Sequence, residues 1–292
     1  MSYRLPFFCF FTRYNTLTMK ANIYLVPHDF TPVADTATRM ALEFAHIQNG
    51  TLVLIHVVDK KSDRRAAKEK FAEVLNQYSE SDRAIIRTVV IEGDVYGDIG
   101  KASEVLNASL IVMGTHGSSG LQKIFGSRAL KVVNSTGTPF MITQGTGNLN
   151  EIKHIVMPFY FEKETVQIAT FAADIAKMFN STIHLVGFYD KDEWLQGKTK
   201  SNQLVLRRYF TEQGIEHEIV NLPKEKSYEK ELQEYAASIN ADLFAVAHYS
   251  ESILTSASSF VQELIENAHD IPVLTVNTEE LTITSGLSFL TI

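Results

Sequence analysis

Four glycines and one serine carry the most chemistry in this chain. Gly114, Gly117, Gly120 and Gly126-Ser127 follow the apolar run from Leu110 to Met113. An apolar run that stops at a glycine reads as a buried parallel strand entering a loop. After Ser127 the pattern turns helical, with Ala129, Leu130, Val132 and Val133 on one face. Glycine lets backbone approach an anion closely and adopt positive φ. The first N–H groups of the helix add donors and a partial positive charge. Strand, glycine loop and helix start together form a phosphate-holding arrangement. The blander reading is that these glycines only shape a tight turn.

The elements that would position this loop alternate. Asn22 to Pro27 reads as a strand, followed by His28-Asp29-Phe30 and a helix entry at Thr31-Pro32. The helix runs to about Asn49 with Val33, Ala37, Met40, Ala41, Phe44 and Ala45 inward, and Gly50 ends it as a left-handed cap. Thr51 to Val58 is a second strand, and Ala84 to Ile91 a third. Phe71, Val74, Leu75 and Tyr78 share the face of a helix between them. Gly93, Gly97 and Gly100 break the next stretch before a helix carrying Ile99, Val105 and Leu106. A fifth strand falls at Pro139 to Thr143. This alternation predicts an α/β, doubly wound parallel sheet, with ligands beyond the carboxyl ends of the strands. Asp29, His56 to Val58 and the glycine loop all fall at such ends.

The second half repeats the first. Met157-Pro158-Phe159-Tyr160-Phe161 follows Val26 to Phe30 by 131 residues, as Asp190 follows Asp59. Ala241 to Val246 follows Ala108 to Met113 by 133 residues, and Ile271-Pro272-Val273 follows Thr138-Pro139-Phe140 likewise. The copy loses the site, because Gly114 becomes Ala247, Gly117 becomes Ser250, Gly126 becomes Ser259, Ser127 becomes Phe260 and Asp29 becomes Tyr160. A Cβ at each glycine penalises positive φ and crowds phosphate, and a ring at Phe260 would occupy the helix start. One nucleotide pocket is expected, in the first half. The alternative is that Ser250, Ser256, Ser258 and Ser259 hold another anion.

Composition bounds the rest. A chain of 292 residues is comfortable for two domains. A net charge of −7 argues against nucleic acid. No segment has the roughly 18 consecutive apolar residues of a membrane span. A lone cysteine, Cys9, fits a reducing, cytoplasmic setting. Residues 1–18 stand outside the pattern. Either Met19 is the start and they are an extension, or Leu5 to Phe11 is an arm that packs on a partner.

The pattern Gly114-x-x-Gly117, a spacer, then Gly126-Ser127 resembles the ATP-binding signature of the universal stress protein family. The spacer Ser118 to Phe125 has eight residues where that family usually has nine. The resemblance runs from Met19 to about Asn277, with the signature only in the first half. It implies two tandem Rossmann-like domains of the adenine nucleotide alpha hydrolase-like kind, each a five-stranded parallel sheet with helices on both faces. Residues 19–147 would form the first and 148–277 the second, with 278–292 a tail. It implies an adenine nucleotide, ATP with or without Mg, beside Pro27 and Asp29, with backbone at Val57 facing adenine. Met113 and Gly114 would lie near the ribose, Gly117, Gly126 and Ser127 would hold the phosphates, and His116 would also belong to the nucleotide site. His28 stands where the family more often has a small or hydroxyl residue. Family members pair through their last strands, so the two halves are expected to pack on each other, with further homo-oligomers and a protein partner possible.

No dedicated catalyst stands out. The G-K-[ST] phosphate loop and the G-x-S-x-G elbow are missing, so ATP hydrolysis would be slow at most. Lys123 and Arg128 are the nearest basic groups to the proposed phosphates. His28, His56 and His116 lie at strand ends but lack short ligand spacing, so no tightly bound metal is expected. The function expected is a stress-response or signalling module that binds ATP. The competing class is an interaction protein of the same fold with an empty loop.

Overall fold

The computed structural model describes residues 22–115, 126–145, 151–160, 162–188, 192–223, 226–249 and 257–279. His116, Gly117, the spacer 118–125, Ser250, Ser256 and the two termini lie outside these residues, as do the side chains of Gly126 and Ser127.

The first half runs β1 (Ile23–Pro27), α1 (Pro32–Ile47), β2 (Thr51–Val58), α2 (Arg64–Leu75), α3 (Glu80–Ile85), β3 (Ile86–Glu92), α4 (Val95–Val105), β4 (Leu110–Gly114), α5 (Gly126–Val133) and β5 (Phe140–Thr143). The second runs β6 (His154–Pro158), α6 (Ala169–Phe179), β7 (Thr182–Phe188), α7 (Glu193–Glu212), β8 (His217–Leu222), α8 (Tyr228–Ser238), β9 (Leu243–His248), α9 (Ala257–Ile265) and β10 (Val273–Asn277). The strands order as β3-β2-β1-β4-β5-β10-β9-β6-β7-β8 in one ten-stranded sheet. Each half is parallel throughout, with the same winding, and the halves join where β5 meets β10 antiparallel. These are two tandem Rossmann-like domains with helices on both faces.

Strand periodicity explains the two faces. Side chains alternate along β1 and β2, so Tyr24, Val26, Leu52 and Leu54 enter one core while Leu25, Val53 and Ile55 enter the other. Both cores continue across the halves. Phe44 of α1 meets Phe179 of α6 edge to face at 5.6 Å between centroids.

Local rules account for the helix ends. Thr31 caps α1, its hydroxyl accepting from Ala34 N–H at 3.4 Å, with Pro32 at the first position. The left-handed turn after α1 is made by Asn49, at φ 51°, and not by Gly50. Gly50 is instead required because a Cβ there would collide with the Asn22 carbonyl. Asn180 occupies the matching position in the second half at φ 55°, and Asn107 and Asn240 form a second matching pair at φ 51°. Asparagine tolerates this conformation better than other side chains.

Three further expectations are corrected. Gly97 and Gly100 do not break the chain but lie inside α4. At Gly100 a Cβ would stand 2.7 Å from the Ser135 carbonyl oxygen. Val105 is not on the inner face of α4 but is 86% exposed, whereas Ile99 is buried. Ala84 belongs to the short helix α3, and the third strand begins at Ile86.

Candidate functional site

The winding of the first half reverses between β1 and β4, and there the two strands part. They share only two register pairs, Tyr24–Leu110 and Leu25–Ile111, against five between β1 and β2. Beyond Leu25 the carboxyl ends splay into a crevice, the usual ligand position of such sheets. Pro27 and Gly114 stand on its two sides.

The turn after β1 is tightly determined. Phe30 adopts φ 64°, a conformation that side chains seldom take. His28 Nδ1 accepts from Phe30 N–H at 3.1 Å, and Asp29 Oδ1 accepts from Thr31 N–H at 3.1 Å and from its hydroxyl at 2.5 Å. Asp29 therefore holds the turn with one oxygen, the structural role of a capping acid. Its carboxylate remains exposed, and the other oxygen has no hydrogen bond among the described residues.

His28 is buried, and its Nε2 donates to Asp35 Oδ1 at 3.2 Å. Burial pushes its pKa below the usual imidazole value, and Asp35 acts in the opposite sense. His56 Nδ1 donates to the His28 carbonyl at 2.6 Å. The rings of Phe30 and His56 lie 4.6 Å apart, Phe30 and Phe71 5.0 Å apart, and Lys70 Nζ sits 5.2 Å from the Phe30 centroid. His28 and His56 are thus joined through a carbonyl and not through a shared ligand position. No group of three or more His, Cys, Asp or Glu suited to a metal occurs among the described residues.

The other expected contacts divide. Val57 is half-buried against the core on the α4–α5 face, and Pro27 is half-buried. The Met113 side chain is buried in that core, so only its backbone can face a ribose. Gly114 has a role that spacing did not reveal. A Cβ there would stand 2.8 Å from the Val33 carbonyl oxygen and closer still to the Val33 side chain. Gly114 is not among the positive-φ glycines. It admits the first turn of α1 against β4, as close helix–strand packing demands.

The second half carries an aromatic pair at the positions matching Val95 and Ser127. β6 and β9 part after the two pairs Ile155–Leu243 and Val156–Phe244. Tyr228, at the start of α8, donates its hydroxyl to the Val186 carbonyl near the end of β7 at 2.8 Å. Phe260 of α9 stacks on the Tyr228 ring, centroids 5.8 Å apart and planes 13° apart. Burial raises the Tyr228 phenol pKa, and Tyr160, the counterpart of Asp29, adds to the shift. Gly187 lies under Phe159, whose ring would stand 2.7 Å from a Cβ. The first half has Val95 and Ser127 where the second has Tyr228 and Phe260, so the stacked pair has no counterpart there. Tyr228 was missed in the sequence; its signal is the replacement of Val95 by an aromatic at the matching helix start.

Residues 22–144 match the model of the universal stress protein family. The parallel sheet of this stretch, its 3-2-1-4-5 winding and the crevice at the switch point agree with that match. A universal stress protein from Archaeoglobus fulgidus DSM 4304 has a similar fold, with a TM-score of 0.70 at 21% identity, covering 88% of this chain and 99% of that one. A functionally unknown protein from Pseudomonas aeruginosa PAO1 gives 0.63 at 16% identity, covering 94% and 98%. These likenesses show a shared two-half fold. A search of curated proteins finds no match.

Proposed function

We propose that the first half binds one adenine nucleotide, ATP with or without Mg, in the crevice between β1 and β4, and that the second half is its structural counterpart. Asp29 would meet the adenosine with its unused oxygen, and the backbones of Val57 and Met113 would face base and ribose. The loop containing His116 and Gly117, with Gly126 and Ser127 at the start of α5, would hold the phosphates. The observation that carries this reading is the contrast between the halves. The second half has the stacked Tyr228 and Phe260, while the first has Val95 and Ser127 at those positions. Occupancy would alter the surface offered to a cytoplasmic protein partner, so the chain would act as a stress-response signalling module, with hydrolysis slow at most.

The test is direct. Purified protein is heated, and released nucleotide is measured by absorbance and chromatography. Close to one ATP per chain is expected, with loss in Gly117→Val and weakening in Asp29→Ala. Absence of nucleotide, together with no calorimetric binding of added ATP, would favour the second reading, an interaction protein with an empty loop. That reading draws on Asp29, whose role in the turn needs no ligand.

A further inference from the structure

A second feature lies outside the crevice, on the outer face of α2. Its inner face buries Ala67, Phe71 and Val74. Its outer face, with the residue Lys61 just before it, forms a shallow depression of about 560 Å³ lined by Lys61, Arg64, Arg65, Lys68, Glu69 and Ala72. Four cations and one carboxylate face this space in a chain whose net charge is −7.

The cations are poorly compensated. Arg65 Nε pairs with Glu69 at 3.0 Å, but Lys61, Arg64 and Lys68 make no ion pair among the described residues. Arg64 Nε is buried and has no hydrogen-bond partner. Arg64 and Arg65 also occupy the first turn of α2, which carries no acidic residue. Cations there oppose the helix macrodipole. Asp63 at the N-cap and the Arg65–Glu69 pair offset this only in part. Ala72, at the far end, leaves the space that a longer side chain would fill.

We propose that this depression binds a compact polyphosphate anion through Lys61, Arg64 and Lys68. Guanidinium and ammonium groups suit phosphate oxygens, the first by forked donation and the second as a mobile point charge. The lined stretch of α2 from Arg64 to Ala72 spans about 12 Å. That length suits a short anion, and the acidic remainder of the chain opposes an extended one such as a nucleic acid strand. Glu69 moderates affinity by sharing Arg65 with the ligand.

The probe is inorganic tripolyphosphate, titrated calorimetrically into the full chain at low and moderate salt. Saturable binding of one tripolyphosphate per chain is expected, weakening steeply as salt rises. Arg64→Gln with Lys68→Gln should weaken it at least tenfold, and Glu69→Gln should strengthen it several-fold. Binding should persist in Gly117→Val, which separates this site from the crevice. Circular dichroism and thermal unfolding of the variants would match the parent, since these side chains lie outside the core. No binding, unchanged affinity in the double variant, loss in Gly117→Val, or equal affinity for a hexaglutamate peptide would overturn the proposal.

Discussion

Met141 of β5 lies directly opposite Leu274 of β10, and the two hold the same position in their respective halves. Both are fully buried. An approximate two-fold axis therefore passes between them, and the contacts on either side come in related pairs. Gln144 Nε2 donates to the Asn267 carbonyl at 3.1 Å, and Asn277, its counterpart, donates to the Asn134 carbonyl at 3.4 Å. The seam is that of an isologous dimer made within one chain.

Met141→Asp places an unpaired carboxylate in this dry seam. A loss of about 3–5 kcal/mol is expected, since a buried charge without a partner is strongly destabilising. Chemical unfolding with separate probes on the two halves would check it. A change below about 1 kcal/mol would show that the halves do not depend on the seam.

Gly114→Ala should cost about 1–3 kcal/mol, because the new methyl meets the Val33 backbone and α1 must shift. Ala247 fills the matching position in the second half and is buried without such a conflict. Ala247→Gly should therefore lose only about 1 kcal/mol, mainly through backbone entropy. Thermal unfolding of the two variants side by side measures the asymmetry.

Tyr228→Phe removes the hydroxyl's bond to Val186 and should cost about 1 kcal/mol. Tyr228→Ala also removes the ring under Phe260 and should cost about 3 kcal/mol or more. The difference between the variants, read from denaturant midpoints at constant slope, reports how much the stack itself contributes.

Acid should destabilise the protein through three histidines. Burial lowers the pKa of His28, His184 and His248 below the ordinary 6.5. Above 6.5 folded and unfolded states are both neutral, so these groups leave stability unchanged. Below it the unfolded chain takes up protons that the folded chain refuses, and stability falls as pH drops toward the folded values. Each group adds up to about 1.4 kcal/mol per pH unit in that window. His248 donates through Nε2 to Asn134 at 2.7 Å while its Nδ1 is buried and unpaired. His248→Gln should shrink the fall in melting temperature between pH 7.5 and 5.5. An unchanged fall would remove His248 from the set.

The alternation of strands and helices was legible because β1, β2 and β4 are continuous apolar runs that only a doubly covered sheet can bury. Boundaries were less legible. Asn49, one residue before Gly50, takes the left-handed turn, since the glycine is reserved for the close approach of Asn22. Gly114 was read only as part of the nucleotide loop, near the ribose, because spacing cannot reveal that Val33, far earlier in the chain, packs on it. Phe260 was seen as an obstruction, whereas its partner Tyr228 was not, because the stack forms between residues of two different helices. In each case the deciding contact is distant in sequence, and local pattern has no access to it.

Fusing the halves also changes how many strand edges face outward. Two separate five-stranded sheets would present four open edges; joined, they leave only β3 and β8. Exposed Arg87 and Thr88 lie along the first, and exposed Glu218 and Asn221 along the second. Charged and polar groups in these positions discourage another chain from adding a strand. The ten-stranded sheet is thus terminated at both flanks, and covalent linkage has turned a self-associating surface into an interior one.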